Sequence, residues 1–235
     1  MKPTQRLART AGLYYLVVAV LGAFAHIVRG IVYVPGDATT TAARVVENVA
    51  LVRYSVAADL VQATFLVFVV LALHRLLHHV DARVARAMVL FVVIAVAMIT
   101  LNMVHQFGAL LVATEPSYAA ALGADGADSL VMLLMDLQHY GYLAAQIFFG
   151  LWLFPLGLLA WRSGMFPRAI AAVLIAASTG YLVDVLLQFL APTAADLVNP
   201  ALVSLFVLAE GSLLVFLLAK GVLNRQPAER FLVDA

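Results

Sequence analysis

Residues 54–75, YSVAADLVQATFLVFVVLALHR, decide the fold. Between Tyr54 and His74 the only charged side chain is Asp59, and the run is as long as the roughly 20 apolar residues a helix needs to cross the hydrocarbon core of a bilayer. Five more stretches read the same way, giving spans at 10–33, 54–75, 86–112, 129–161, 168–190 and 201–222. The chain has 235 residues, of which 65% are hydrophobic and 11% charged, and a mean hydropathy of +1.03. Soluble domains carry roughly a quarter of their residues charged, so this composition is that of an integral membrane protein. The expected architecture is an all-α, six-helix transmembrane bundle occupying 1–235 as a single integral membrane domain.

Charge distribution orients the bundle. Lys2, Arg6 and Arg9, then Arg75, Arg83 and Arg86, then Arg162 and Arg168, then Lys220, Arg225 and Arg230 fall on one side: eleven of the fourteen Lys and Arg. The positive-inside rule places that side, and both termini, in the cytoplasm of a cell with this protein in its inner or plasma membrane. Arg29, Arg44 and Arg53 fall toward the other side with Asp37, Glu47, Glu115, Asp125, Asp128 and Asp196. Lys2, Arg6 and Arg9 ahead of an apolar run ending Ala23-Phe24-Ala25 resemble a secretory signal, but 11–28 is nearly long enough to span, so the segment reads as an uncleaved anchor. The chain contains no cysteine, which excludes disulfides and thiolate metal sites. No basic run resembles a nucleic-acid patch, so nucleic acid is not expected as a partner and the bilayer is.

The connections carry their own signals. Pro35-Gly36-Asp37 marks a turn, and Thr39 to Thr41 can cap a short amphipathic helix from about Ala42, with Arg44, Glu47 and Asn48 on one side, lying on the outer surface. Residues 113–128 form a second outer connection, where Asp128 or Ser129 would cap the fourth span. That span is about 50 Å long at 1.5 Å per residue, and Pro155 with Gly157 provides a kink.

Four acids lie inside the apolar runs: Asp59, Asp136, Asp184 and Glu210. Each costs about 2.5 kcal/mol or more near a helix centre, which makes it a functional-site candidate with a partner to find. Helical spacing groups them with other polar residues. Ser55, Asp59 and Gln62 share a face, as do Asp136, His139 and Gln146, then Tyr181, Asp184 and Gln188, then His26, Arg29 and Tyr33; the third span adds Asn102 and His105. Counting rises puts Asp59 about 9 Å below the outer interface, and Asp184 and His26 about 24 and 25 Å from the inner one. The pattern predicts a polar funnel open to the outside with Glu210 at its floor and an apolar inner half.

Three chemistries fit these residues. The first is a pocket for a small polar or amphipathic ligand, lipid included, at Asp59, Gln62, Asp136, His139, Asp184, Gln188 and Glu210 with Arg29 as counter-ion. Carboxylates beside histidines there could exchange protons near neutral pH. The second is a zinc site of a membrane hydrolase, from His26, His105 and His139 with one carboxylate. No H-E-x-x-H pair supports it, and enzymatic activity is left open. The third is structural: the polar groups bond one another and orient the helices, each contact contributing about 0.6 kcal/mol.

Several segments resemble the bacterial membrane proteins grouped as domain of unknown function 4386. They are Arg9-Thr10-Ala11-Gly12-Leu13-Tyr14, Val34-Pro35-Gly36-Asp37-Ala38, Asp59-Leu60, His139-Tyr140-Gly141-Tyr142, Phe148-Phe149-Gly150-Leu151, Pro167-Arg168, Gly180-Tyr181-Leu182-Val183-Asp184 and Ala219-Lys220-Gly221-Val222. The resemblance covers nearly the whole chain. The family favours Asn where Arg44 stands, and an acid after a Gly where Glu210 precedes Gly211. The resemblance implies a multi-pass bacterial membrane protein and implies no activity.

Overall fold

A computed structural model describes residues 3–223. Lys2, Arg225, Arg230 and the tail beyond them, used above for orientation, lie outside the described residues. The described chain is all-helical, with eight helices: α1 (Pro3–Val32), α2 (Ala38–Glu47), α3 (Val49–Leu77), α4 (Ala82–Thr114), α5 (Pro116–Leu122), α6 (Ala124–Ser163), α7 (Arg168–Leu190) and α8 (Pro192–Ala219). Six of them, all but α2 and α5, are long and apolar enough to cross a membrane. The protein is a multi-pass membrane protein. Leu101, Leu190, Leu197 and Val207 are among the large apolar side chains left on the outside of the protein, the surface that lipid covers.

The helices outrun the apolar stretches that reveal them. The first begins at Pro3 rather than near 10, and the last begins at Pro192 rather than after Pro200, with Pro192 in its first turn and Pro200 inside it. Hydropathy marks only the part of a helix that lipid must solvate, whereas backbone hydrogen bonding carries it on into polar flanks. The same reason moves the start of α6 to Ala124, so neither Asp128 nor Ser129 caps it; Ser129 donates instead to the Asp125 carbonyl at 2.8 Å. α6 runs unbroken through Pro155.

The cap of α2 is Asp37, not the threonines after it. Its carboxylate accepts from the Thr40 N–H at 2.9 Å and from the Thr40 hydroxyl at 2.7 Å, and these bonds hold the Asp37 carboxyl below the usual aspartate pKa. Thr41 faces inward, where its hydroxyl donates to the Val34 carbonyl at 3.1 Å.

The chain packs as two compact units. Among the described residues, one comprises 3–13, 71–89 and 150–223; the other comprises 14–70 and 90–149. In the first, α7 and α8 form a hairpin, and α6 lies against α7 at Gly150 and Gly157. A β-carbon at Gly157 would stand 2.7 Å from Ile175 Cγ1 and 3.0 Å from the Ala171 carbonyl oxygen; at Gly150 it would stand 2.9 Å from Tyr181 Cβ and 3.1 Å from the Ser178 carbonyl oxygen. Glycine lets these two backbones touch, which is how helices gain van der Waals attraction where lipid removes the hydrophobic drive. Trp152, Leu156, Leu159, Leu174, Leu213 and Leu217 fill the interior of this unit. Its ends are tied by Gln5 Nε2 to the Val222 carbonyl and by Leu223 N to the Met165 carbonyl, both 2.8 Å.

In the second unit, one apolar cluster joins Val32, Val45, Val52, Leu110, Val131 and Met135, and another joins Ile99, Met103 and Ala145. α2 contributes its buried face, Thr41, Ala42 and Val45, to this packing and leaves Arg44 and Glu47 exposed.

Candidate functional site: buried ionisable pairs

The second unit holds Asp59 and Asp136. Asp59 on α3 is fully buried and forms an ion pair with Arg29 of α1, which is 8% exposed. Gln62, one turn along α3, donates to the other Asp59 oxygen at 2.8 Å. The Arg29 guanidinium also lies over the Tyr142 ring of α6, 5.2 Å from its centroid, a cation–π contact. Just past the end of α1, where its N–H still donates to the Arg29 carbonyl at 2.9 Å, Tyr33 donates its hydroxyl to Asp136 at 2.6 Å, and its ring lies 5.6 Å from that of His139. Arg29 in the last turn of α1 and Tyr33 just beyond it therefore bind Asp59 of α3 and the Asp136, His139 and Tyr142 stripe of α6.

Next to these pairs runs an amide network. Asn102 of α4 donates to the Gln138 carbonyl at 2.7 Å and its side-chain oxygen meets His105 Nδ1 at 3.0 Å. Gln106, one turn on, donates to the Ser55 hydroxyl at 2.7 Å, and that hydroxyl donates to the Val52 carbonyl. Gln106 and Gln138 are buried, yet Gln106 Oε1 and Gln138 Nε2 have no hydrogen-bond partner among the described residues; neither does Gln146 Oε1. The polar stripes read from the sequence include Asn102 and Gln146 but neither Gln106 nor Gln138. The available signal was the four-residue step from Asn102 to Gln106, which puts two amides on one face of an apolar helix.

The first unit holds the other two acids. Asp184 of α7, 2% exposed, accepts from Asn199 Nδ2 of α8 at 3.0 Å. Tyr181 donates its hydroxyl to Glu210 at 2.7 Å while its ring stacks on Phe206, with centroids 3.7 Å apart and planes 6° from parallel. Gln188, half-buried, stands one turn beyond Asp184.

The three histidines of the zinc reading lie in the second unit. His26 is exposed, His105 turns to Asn102, and His139 packs between Tyr33 and Tyr140. Among the described residues, no group of three or more His, Asp or Glu side chains is placed to hold a metal ion. A cavity of about 540 Å³ does open in this unit where α2, α5 and the start of α6 meet, with Glu47, Glu115 and Asp128 in its walls. None of the expected ligand-binding residues lines it.

The family model described as "Domain of unknown function (DUF4386)" matches residues 10–221. An uncharacterized protein of Archaeoglobus fulgidus is 51% identical over 43 residues, which is 18% of this chain and 26% of that protein's length. No solved structure gives a significant match.

Proposed function

The chain belongs to the DUF4386 family, and from that premise we propose that it binds or senses a small polar or amphipathic ligand through its intramembrane ionisable groups. Asp59, Gln62, Asp136 and His139, with Arg29 as counter-ion, form the proposed site in the second unit; Asp184, Gln188 and Glu210 form a separate candidate set in the first. The observation that carries this reading is the Arg29–Asp59 pair. A buried ion pair is commonly no more stable than apolar side chains of the same size, so its presence among valines and leucines argues for a task beyond stability. A ligand with a charged or strongly polar group would compete for either partner. His139, one turn from Asp136 on α6, is the group that would link binding to protons.

Mass spectrometry of small molecules extracted from the purified full-length protein tests this. A molecule present stoichiometrically with the wild type, and lost with Asp59→Asn or Tyr33→Phe while the helical fold persists, supports the reading. The hydrogen bond made by each of the four acids inside its own unit favours a second, purely structural reading. If nothing but bulk lipid co-purifies and both substitutions only lower the melting temperature, the structural reading stands and the ligand reading falls.

The proposed orientation has both termini in the cytoplasm, as the distribution of Lys and Arg supports. Because the chain has no cysteine, an impermeant maleimide on intact cells should label Ser117→Cys and spare His79→Cys. The reverse pattern would invert the topology.

A further inference from the structure

We propose that the exposed face of α8 is a site for one anionic phospholipid, its headgroup held at Lys220 and Arg9. A groove of about 560 Å³ runs along this helix, lined by Val207, Leu208, Gly211, Val215 and Phe216 and ending at Lys220. From Val207 to Lys220 is about 20 Å of helix at 1.5 Å per residue. One leaflet of hydrocarbon is about 15 Å deep, so an acyl chain laid in the groove brings its headgroup to the Lys220 end. Gly211 deepens the groove, since a β-carbon there would meet nothing within 4 Å.

Charge selects the occupant. The Lys220 ammonium is exposed and makes no ion pair or side-chain hydrogen bond among the described residues. Arg9 Nη2 donates to the Ala219 carbonyl at 3.3 Å, which places a second cation one residue away. No acidic side chain lines the groove, and Glu210 turns to Tyr181 instead. The bonds from Gln5 to the Val222 carbonyl and from Leu223 to the Met165 carbonyl hold this end of α8 in place, so the cations are positioned before a lipid arrives. A zwitterionic headgroup offers its phosphate with an ammonium beside it and gains less from the two cations than phosphatidylglycerol does.

Native mass spectrometry of the full chain in detergent, titrated separately with phosphatidylglycerol and phosphatidylcholine, tests the site. The expected result is one phosphatidylglycerol retained in preference to phosphatidylcholine, with affinity falling about fivefold in Lys220→Ala and further in Lys220→Glu. Gly211→Leu, whose β-carbon would meet nothing within 4 Å, should lose the adduct while melting as the wild type does. Equal retention of the two lipids overturns the proposal, as does phosphatidylglycerol binding indifferent to Lys220→Glu and Gly211→Leu. A wild-type dimer that Gly211→Leu separates, with no retained lipid, also overturns it and makes this face a contact between copies.

Discussion

Removing Asp59 should damage the protein far more than removing Asp59 and Arg29 together. Asp59 accepts a charge-assisted bond from Arg29 and a neutral one from Gln62 at 2.8 Å, and no solvent reaches it. Bonds of these kinds contribute together about 3–4 kcal/mol, within the roughly 3–5 kcal/mol lost when one member of a buried pair is deleted and the other charge is stranded. Asp59→Leu should therefore cost about 3–5 kcal/mol. Arg29→Met should cost somewhat less, because Asp59 keeps the Gln62 bond. Combining them leaves no stranded charge, so the double variant should return to within about 1 kcal/mol of the wild type or exceed it. Equilibrium unfolding in mixed detergent micelles, followed by far-ultraviolet circular dichroism, reads all four proteins. Purely additive single costs would show that the two side chains do not act as a pair, and the reasoning would fail. A cost below about 1 kcal/mol for Asp59→Leu would do the same.

Tyr181→Phe keeps the stack on Phe206 but takes away the hydroxyl that serves Glu210; it should lower stability by about 1–2 kcal/mol in the same unfolding assay. Gly157→Ala drives a methyl against Ile175 and the Ala171 carbonyl, and should cost about 1–3 kcal/mol, whereas Gly211→Ala should cost nothing measurable in the same melt. The Asp37 cap makes α2 acid-sensitive. Its carboxyl titrates lower when folded than when unfolded, so its contribution is full above the ordinary aspartate pKa and fades as pH falls through the lower folded value. The melting difference between wild type and Asp37→Ala should shrink on acidification; a difference constant with pH would exclude the carboxylate as its source.

The spans were legible because a membrane leaves one solution for an apolar stretch of that length. A helix satisfies its own backbone, and Asp59 could be placed on one from composition alone. What hydropathy misses is whatever lipid does not solvate: α5, the Asp37 cap, and the turns of α8 before Pro200. The polar stripes were legible as faces of single helices, and Tyr33 and Tyr181 were among them. Which acid each tyrosine binds depends on how the helices rotate against one another, and spacing along one helix carries no information about that. Gln106 and Gln138 escaped for a different reason. An uncharged amide calls for no counter-ion and so attracts less notice than an acid, yet burying one unpaired costs about 1–3 kcal/mol.

The polar contacts differ in how much chain must be made before they can form. Asn199 and Asp184 are 15 residues apart, Arg29 and Asp59 are 30, Tyr33 and Asp136 are 103, and Gln5 and Val222 are 217. During synthesis the charge on the second span thus meets its counter-ion when only the first span has preceded it. The cost of inserting Asp59, about 2.5–3.5 kcal/mol if unaccompanied, is offset at the moment it arises. Tyr33 must wait for α6. Gln5 waits for almost the whole chain, so the amino-terminal end of the earliest-made helix is latched last, and a chain stopped before Val222 lacks that latch.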